Sequence, residues 1–266
     1  MIRVGGWSGE QGFGELTITL NPLSCPVGAA RPMGEEWYDL CSEDADCWPG
    51  PVTEAYCIPS PSAEPEELGA CYAPKHRYIS VARNPQQLPN TARRITLQDG
   101  PVLGWVGAPS YNESGGVWIA QIVDQPTYDY VHFDGAWPDI VHVTGCEIAT
   151  NKTYQVQAII LGDDTGDEWN YSEAVELRTP SVWGDTVSTC VGGVCQPPDG
   201  AASLADIMVV IHYFQGVHLA PLPWLDISPS ADSETPDQNI NLGDIMGCIG
   251  AFQGESYPGL GPLNCP

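Results

Sequence analysis

Seven oxygen-bearing side chains near the C-terminus are spaced like ligands for a hard cation. Asp199, Ser203 and Asp206 form one set, and Asp237, Asn239, Asn241 and Asp244 form the other. Calcium takes oxygen ligands from a short loop, with glycine at the sharp turn and a closing acid at the twelfth position. In the first set Asp199-Gly200 opens the second half of such a loop and Asp206 closes it. In the second set Asp237, Asn239, Asn241 and Asp244 fall at positions five, seven, nine and twelve, the seventh acting through its carbonyl. Counting back puts the first position on Cys195 and Ser233 and the third on Pro197 and Thr235, while Gln238 stands at the glycine position of the second loop. Calcium is therefore expected more in the second loop, where Asp226, Asp232 and Glu234 could replace the missing ligands. The alternative is that both loops are structural, with Asp206 and Asp244 acting as acids at helix N-termini.

The elements that would position these groups are duplicated. Residues 203–216, SLADIMVVIHYFQG, and 241–254, NLGDIMGCIGAFQG, are identical at Leu204/Leu242, Asp206/Asp244, Ile207/Ile245, Met208/Met246, Ile211/Ile249, Phe214/Phe252, Gln215/Gln253 and Gly216/Gly254. Each copy opens on an N-cap residue, Ser203 or Asn241. Each ends on a glycine suited to a helix stop. Positions 204, 207, 208, 211 and 214 recur at helical spacing and predict an apolar face by which the two helices pack on each other. A loop followed by one helix, present twice, resembles the type I dockerin over roughly residues 190–258. That resemblance implies calcium in the loops and docking on a cohesin. Dockerin-like pairs also occur as C-terminal modules of large secreted proteins of planctomycetes and related bacteria.

Runs rich in β-branched and aromatic residues at 75–83, 93–100, 117–124, 139–145, 153–161 and 173–179 predict strands separated by turn residues. The stretch from Tyr154 to Thr179 resembles the last two strands of fibronectin type III domains, which places Tyr154 at the tyrosine corner of that sandwich. Ahead of it, residues 2–7 and 14–20 read as a hairpin with Leu16, Ile18 and Leu20 on one face. A hairpin alone is marginal in water. It either packs on the chain's own sheet or completes a sheet in a neighbouring copy, where Leu16, Ile18 and Leu20 would drive assembly.

Ten cysteines predict an oxidising compartment. Cys41, Cys47, Cys57 and Cys71 have the spacing of a small cysteine-rich insert, in which alternation suggests Cys41–Cys57 and Cys47–Cys71 among three possible pairings. Cys190–Cys195 and Cys248–Cys265 are expected as further bridges, leaving Cys25–Cys146 as a long-range one. The first twenty residues lack the basic start and apolar core of a signal peptide, so the secreted chain is expected to have lost a leader or to be part of a longer one. No apolar run approaches the about 20 residues needed to span a bilayer.

The net charge of −25 excludes nucleic acid as a partner. No Lys or Arg follows Arg178, while Lys75, Arg77, Arg83, Arg93 and Arg94 cluster. A basic patch of one copy could therefore meet the acidic end of another. Three sequons, at Asn112, Asn151 and Asn170, are expected in loops as sugar acceptors. The five histidines form no metal spacing, and no nucleophile elbow, phosphate loop or dinucleotide fingerprint occurs.

The reading is a mainly β chain with a small α module: a hairpin at 1–24, a cysteine-rich segment at 25–74, an immunoglobulin- or fibronectin-like sandwich at 75–180 and a dockerin-like pair at 181–266. Its expected function is non-catalytic extracellular assembly, by self-association or with another extracellular protein, with calcium as the candidate cofactor. The alternative is a carbohydrate- or cohesin-binding accessory module of a larger secreted enzyme. A hydrolase would need a cleft with two facing carboxylates.

Overall fold

The alternation that predicts strands between 91 and 160 is realised as a curled sheet in the computed structural model. The model describes residues 40–41, 56–58, 69–82, 91–128, 140–228, 235–259 and 261–265. Residues 1–30 and 31–266 are two units, and all described residues belong to the second. The expected hairpin, with Leu16, Ile18 and Leu20, therefore lies outside the described residues.

Three short strands come first: β1 (Leu40–Cys41), β2 (Tyr56–Ile58) and β3 (Gly69–Tyr72), in the order β1-β3-β2. Cys57 faces Cys71 in the β2–β3 register. The side chains that would decide the Cys41–Cys57 and Cys47–Cys71 pairings lie outside the described residues.

The main sheet has eight strands: β4 (Tyr78–Ala82), β5 (Thr91–Leu97), β6 (Val102–Val106), β7 (Ser110–Asn112), β8 (Val117–Val123), β9 (Ile140–Thr144), β10 (Thr153–Ile160) and β11 (Val175–Arg178). Their order is β11-β10-β5-β6-β8-β9-β4, with β7 paired to β8. The β8–β9 pair is parallel, and the other neighbouring strands of the sheet pair antiparallel. The end strands β11 and β4 approach each other, so the sheet curls around its own apolar face. Ile79, Val81, Ile95, Val106, Val141, Val143, Tyr154, Val156 and Leu177 fill that interior. The Tyr154 hydroxyl accepts from Ala149 N at 2.8 Å and donates to the Glu147 carbonyl at 3.0 Å, closing the turn that precedes β10.

A hairpin of β12 (Cys190–Val191) and β13 (Val194–Cys195) leads into α1 (Leu204–Phe214), α2 (Leu222–Leu225) and α3 (Leu242–Phe252). The sequence divides this part from the sheet at residue 180, yet the two share one core. Tyr78, Val117 and Ile119 of the sheet pack with Trp183, Ile207, Val210, Leu222, Leu225, Ile227 and Ile245. Burying them together removes the separate interface that a free-standing helix pair would need.

The cysteines differ from expectation here. Cys190–Cys195 is a disulfide across the β12–β13 hairpin. The C-terminal tail is tied by Cys146–Cys265, which replaces the expected Cys248–Cys265 and Cys25–Cys146 bridges. Cys248 sits on the buried face of α3 as a free thiol, with the Gly184 carbonyl as its neighbour at 4.0 Å, so it points away from the tail. Gly184 is where α3 comes closest to the incoming chain. Its φ is +78°, and a Cβ there would overlap the Ala251 Cβ. Gly184→Ala should therefore lower stability by about 2–4 kcal/mol, from the left-handed backbone and the overpacking together. Urea denaturation measures this, and an unchanged midpoint would contradict the close approach.

Candidate functional site

Both helices are built by the same capping chemistry. Ser203 and Asn241 cap α1 and α3, and Asp206 and Asp244 return the bond to the cap backbone, a capping box in each copy. Each acid also reaches a second segment. The Asp206 Oδ1 accepts from Thr186 N at 2.6 Å, Val187 N at 2.9 Å and Thr186 Oγ1 at 3.1 Å. The Asp244 Oδ1 accepts from Ile227 N and Ser228 N, both at 2.9 Å. These two carboxylates are thus staples between each helix start and the chain that runs in ahead of it.

The same segments supply the first loop positions that contiguous counting misses. Asp185 accepts from Asp199 N and Gly200 N. Asp226 accepts from Gln238 N at 2.9 Å. Gly200 and Gln238 share a left-handed backbone, with φ of +90° and +62°. Asp185 and Asp226 are therefore equivalent, and each loop has an insertion after its first acid. Residues 186–198 carry the Cys190–Cys195 hairpin in one, and residues 227–236 form the other. Asp232 and Glu234 lie outside the described residues. The sequence signal that Asp185 and Asp226 share is an Asp two residues past a buried tryptophan, Trp183 or Trp224, and it needs the inserts to be discounted.

The two loops differ as oxygen sites. In the first, both Asp206 oxygens are occupied: Oδ2 accepts from Ser203 N at 2.7 Å and Ser203 Oγ at 2.9 Å, beside the three donors on Oδ1. Both Asp185 oxygens also accept. Asp199 is used by Ala201 N, and the Ser203 Oγ by Ala205 N. Peptide and hydroxyl donors thus meet every carboxylate oxygen of Asp185 and Asp206 in the first loop. In the second, Asp226 is fully buried and its Oδ1 has no hydrogen-bond partner. Asp244 Oδ2 accepts from Asn241 N at 2.9 Å. Asp237 is exposed and holds the loop through Asn239 N and Asn241 Nδ2. A buried carboxylate oxygen without a donor is costly unless a proton or cation meets it. The second loop fits calcium on that ground, with Asp226, Asp237 and Asp244 as its acids and Asn239 and Asn241 beside them.

Burial drives the ionisation of these groups. It pushes Asp226 well above the usual carboxylate range, and the charges of Asp244 and Asp237 add to the effect. It raises Asp244 to about 6, against three peptide donors that favour the charged form. Asp206 rises for the same reason, opposed by its own donors. Among the described residues, the one group of three acids or sulfurs whose ligand atoms lie within 4.8 Å of one another is Cys146, Glu147 and Cys265, whose two sulfurs are bonded to each other and are poor metal ligands; the carboxylates of Asp226, Asp237 and Asp244 are spread more widely.

The remaining expected sites are dispersed. Lys75, Arg77, Arg93 and Arg94 are buried, so they form no basic surface, while Arg83 lies outside the described residues. Arg94 pairs with Glu168 at 2.6 Å and lies 3.6 Å from the Tyr171 ring centroid. Of the sequons, Asn112 ends β7 with its amide engaged at both atoms, donating to the Gln238 carbonyl and accepting from Gly115 N. Asn170 donates to the Asp164 carbonyl, and Asn151 is exposed in a turn.

The helix faces match the expected pattern only in part, with Ile207 and Ile245 buried and Ile211 and Ile249 packed half-buried against the core. The buried side of α1 is Asp206, Ile207, Val209, Val210 and Tyr213, and that of α3 is Asp244, Ile245, Cys248, Gly250 and Ala251. Of the expected apolar face only Ile207 and Ile245 are buried. Leu204, Met208 and Phe214 are 41–63% exposed, and Leu242, Met246 and Phe252 are 55–64% exposed. No protein-family model, curated protein or solved structure matches this chain.

The sheet grips both loops from one strand entry. His76 Nε2 donates to the Asp185 carbonyl at 2.8 Å, and Nδ1 faces Thr150 Oγ1 at 3.1 Å. Desolvation lowers His76 to about 3. The unfolded chain binds a proton at His76 below about 6.5 that the folded chain refuses, so this group costs stability as pH falls from 6.5 towards 3. Asp244 has the opposite sign, because the folded chain holds a proton that the unfolded chain releases above about 3.9. Its contribution is lost as pH rises towards 6. The two slopes oppose each other between about pH 4 and 6, each about 1.4 kcal/mol per pH unit. Asp226 and Asp206 add slopes of the same sign as Asp244, so His76→Gln should make stability fall more steeply with rising pH than in the parent over that window. Equal profiles for parent and variant, by urea denaturation, would contradict the neutral buried histidine.

Proposed function

We propose that this chain is a non-catalytic extracellular assembly protein whose helix pair is its docking element. One observation carries the reading. A duplicated helix needs to retain only the residues that fold it, and Asp206/Asp244, Ile207/Ile245 and Gly216/Gly254 serve that purpose. Leu204/Leu242, Met208/Met246 and Phe214/Phe252 are equally identical, yet they face solvent. Repeated large apolar side chains on the surface mark an interaction face. The loop-helix duplication, with its acid-closed loops, supports likeness to the type I dockerin. The Tyr154 bonds back to Glu147 and Ala149 support likeness to a fibronectin type III sandwich.

The charge distribution favours a partner of another kind over a second copy. The terminal module carries no Lys or Arg after Arg178, and four of the clustered cations are buried. Two such acidic faces repel each other, whereas an apolar surface rimmed by Lys or Arg complements them. Calcium bound in the second loop would be held by Asp226, Asp237 and Asp244, with Asn239 and Asn241 beside them. It would supply the positive charge that lets these acids sit together. The two disulfides suit an oxidising compartment.

A second reading is an accessory carbohydrate-binding module. It is favoured by Trp169, which is 94% exposed on a turn ordered by Arg94–Glu168 and Asn170–Asp164. The two readings separate by variant. Replacing Leu204, Met208, Leu242 and Met246 together with Ser should leave folding nearly intact, because these side chains are exposed. The same variant should abolish capture of an extracellular protein partner by the immobilised chain, with type I cohesin domains as the first probe. Recovery of the same partner by parent and variant would contradict docking through the helices. Retention on cellulose that is lost in Trp169→Ala would favour the second reading.

A further inference from the structure

The second loop is not closed by its own residues alone. Tyr78, the first residue of β4, is fully buried and donates its hydroxyl to Asp226 Oδ2 at 2.6 Å. Gln238 N donates to that same oxygen at 2.9 Å. Asp226 Oδ1 is left buried with no hydrogen-bond partner. The carboxylate is therefore fixed through one oxygen by donors from the sheet and the loop, and its other oxygen has no donor. Asn112 at the end of β7 adds a second tie, through the Gln238 carbonyl at 3.0 Å. The equivalent acid of the first loop is Asp185, which accepts from Asp199 N and Gly200 N. There the sheet reaches the backbone carbonyl instead, through His76.

We propose that the second loop alone takes a divalent cation and that Tyr78 is its positioning residue, supplied by the sheet. The inference rests on the reading of the second loop as a calcium loop. Two physical points carry it. A short hydrogen bond from a buried phenol fixes the rotamer of Asp226 and leaves its free oxygen as the ligand atom. Loss of an outer donor of this kind typically costs about ten- to hundred-fold in metal affinity. In the first loop, both Asp206 oxygens and both Asp185 oxygens already accept from protein donors, so a cation there would have to break several of those bonds. The duplicated module thus contains one cation site, and occupancy at that site acts on the contact between helix pair and sheet.

The test is calorimetric titration of the calcium-free full chain with calcium chloride, with calcium-free melting recorded for each protein. The parent is expected to bind one calcium per chain, and Asp226→Asn to bind none. Tyr78→Phe should weaken binding by about ten- to hundred-fold. The calcium-induced rise in Tm should shrink in proportion. Comparing this rise with each protein's own calcium-free Tm separates positioning from a general loss of stability. A second readout applies should Tyr78→Phe not fold: calcium should perturb the near-ultraviolet tyrosine absorption of the parent and not that of Asp226→Asn. No binding by the parent would overturn both the calcium reading and the role of Tyr78. One site with unchanged affinity in Tyr78→Phe, or no tyrosine perturbation in the parent, would overturn Tyr78 alone. Two sites per chain would overturn the single-site assignment.

Discussion

The helix pair depends on two buried carboxylates that each hold three pieces of chain at once. Asp206 joins the start of α1, the Ser203 cap and the incoming segment at Thr186–Val187. Asp244 does the same for α3, Asn241 and Ile227–Ser228. A helix N-terminus leaves peptide donors unsatisfied, and an incoming loop leaves more. One carboxylate answers both needs and fixes the angle at which each helix leaves its loop. The large inserts inside both loops are tolerated because the staples fix the loop ends, and loop length costs little once the ends are held.

Duplication has produced two different solutions from this frame. The first loop is saturated with internal donors and carries a disulfide hairpin in its insert. The second keeps a buried carboxylate oxygen without a partner and borrows Tyr78 from the sheet. His76 and Tyr78 stand two residues apart at the entry to β4, and each holds the first acid of one loop. The sheet and the helix pair therefore share an apolar core and also a polar seam. This seam makes the state of the second loop a property of the whole fold.

The sequence makes some of this plain and hides the rest for identifiable reasons. Ser203, Asn241, Asp206 and Asp244 announce capped helices, because capping is a local reaction of neighbouring residues. Cys190–Cys195 is legible because four residues, the central two of them glycines, separate the two cysteines, a length that closes a hairpin. The strands β5, β8, β9 and β10 follow from β-branched runs, while β6 and β7 are short and interrupted by glycine and proline. Asp185 is hidden by an insert that breaks the contiguous count, whereas Asp226 is visible in the sequence as a substitute ligand beside Asp232 and Glu234. The buried helix face is misread because the seam uses small or polar residues, Gly250, Ala251, Asp206 and Asp244, while the larger Leu, Met and Phe point outwards. Burial of Lys75, Arg77, Arg93 and Arg94 is invisible to composition, which treats every cation as surface.

The central claim is that the two loops are unequal, one closed by hydrogen bonds and one left open at Asp226. Carbon NMR of the aspartate carboxyl groups during a calcium titration tests it directly. The account predicts that the Asp226, Asp237 and Asp244 resonances move together while those of Asp185 and Asp206 stay in place. Movement of Asp206 with calcium, or no movement at Asp226, would contradict it.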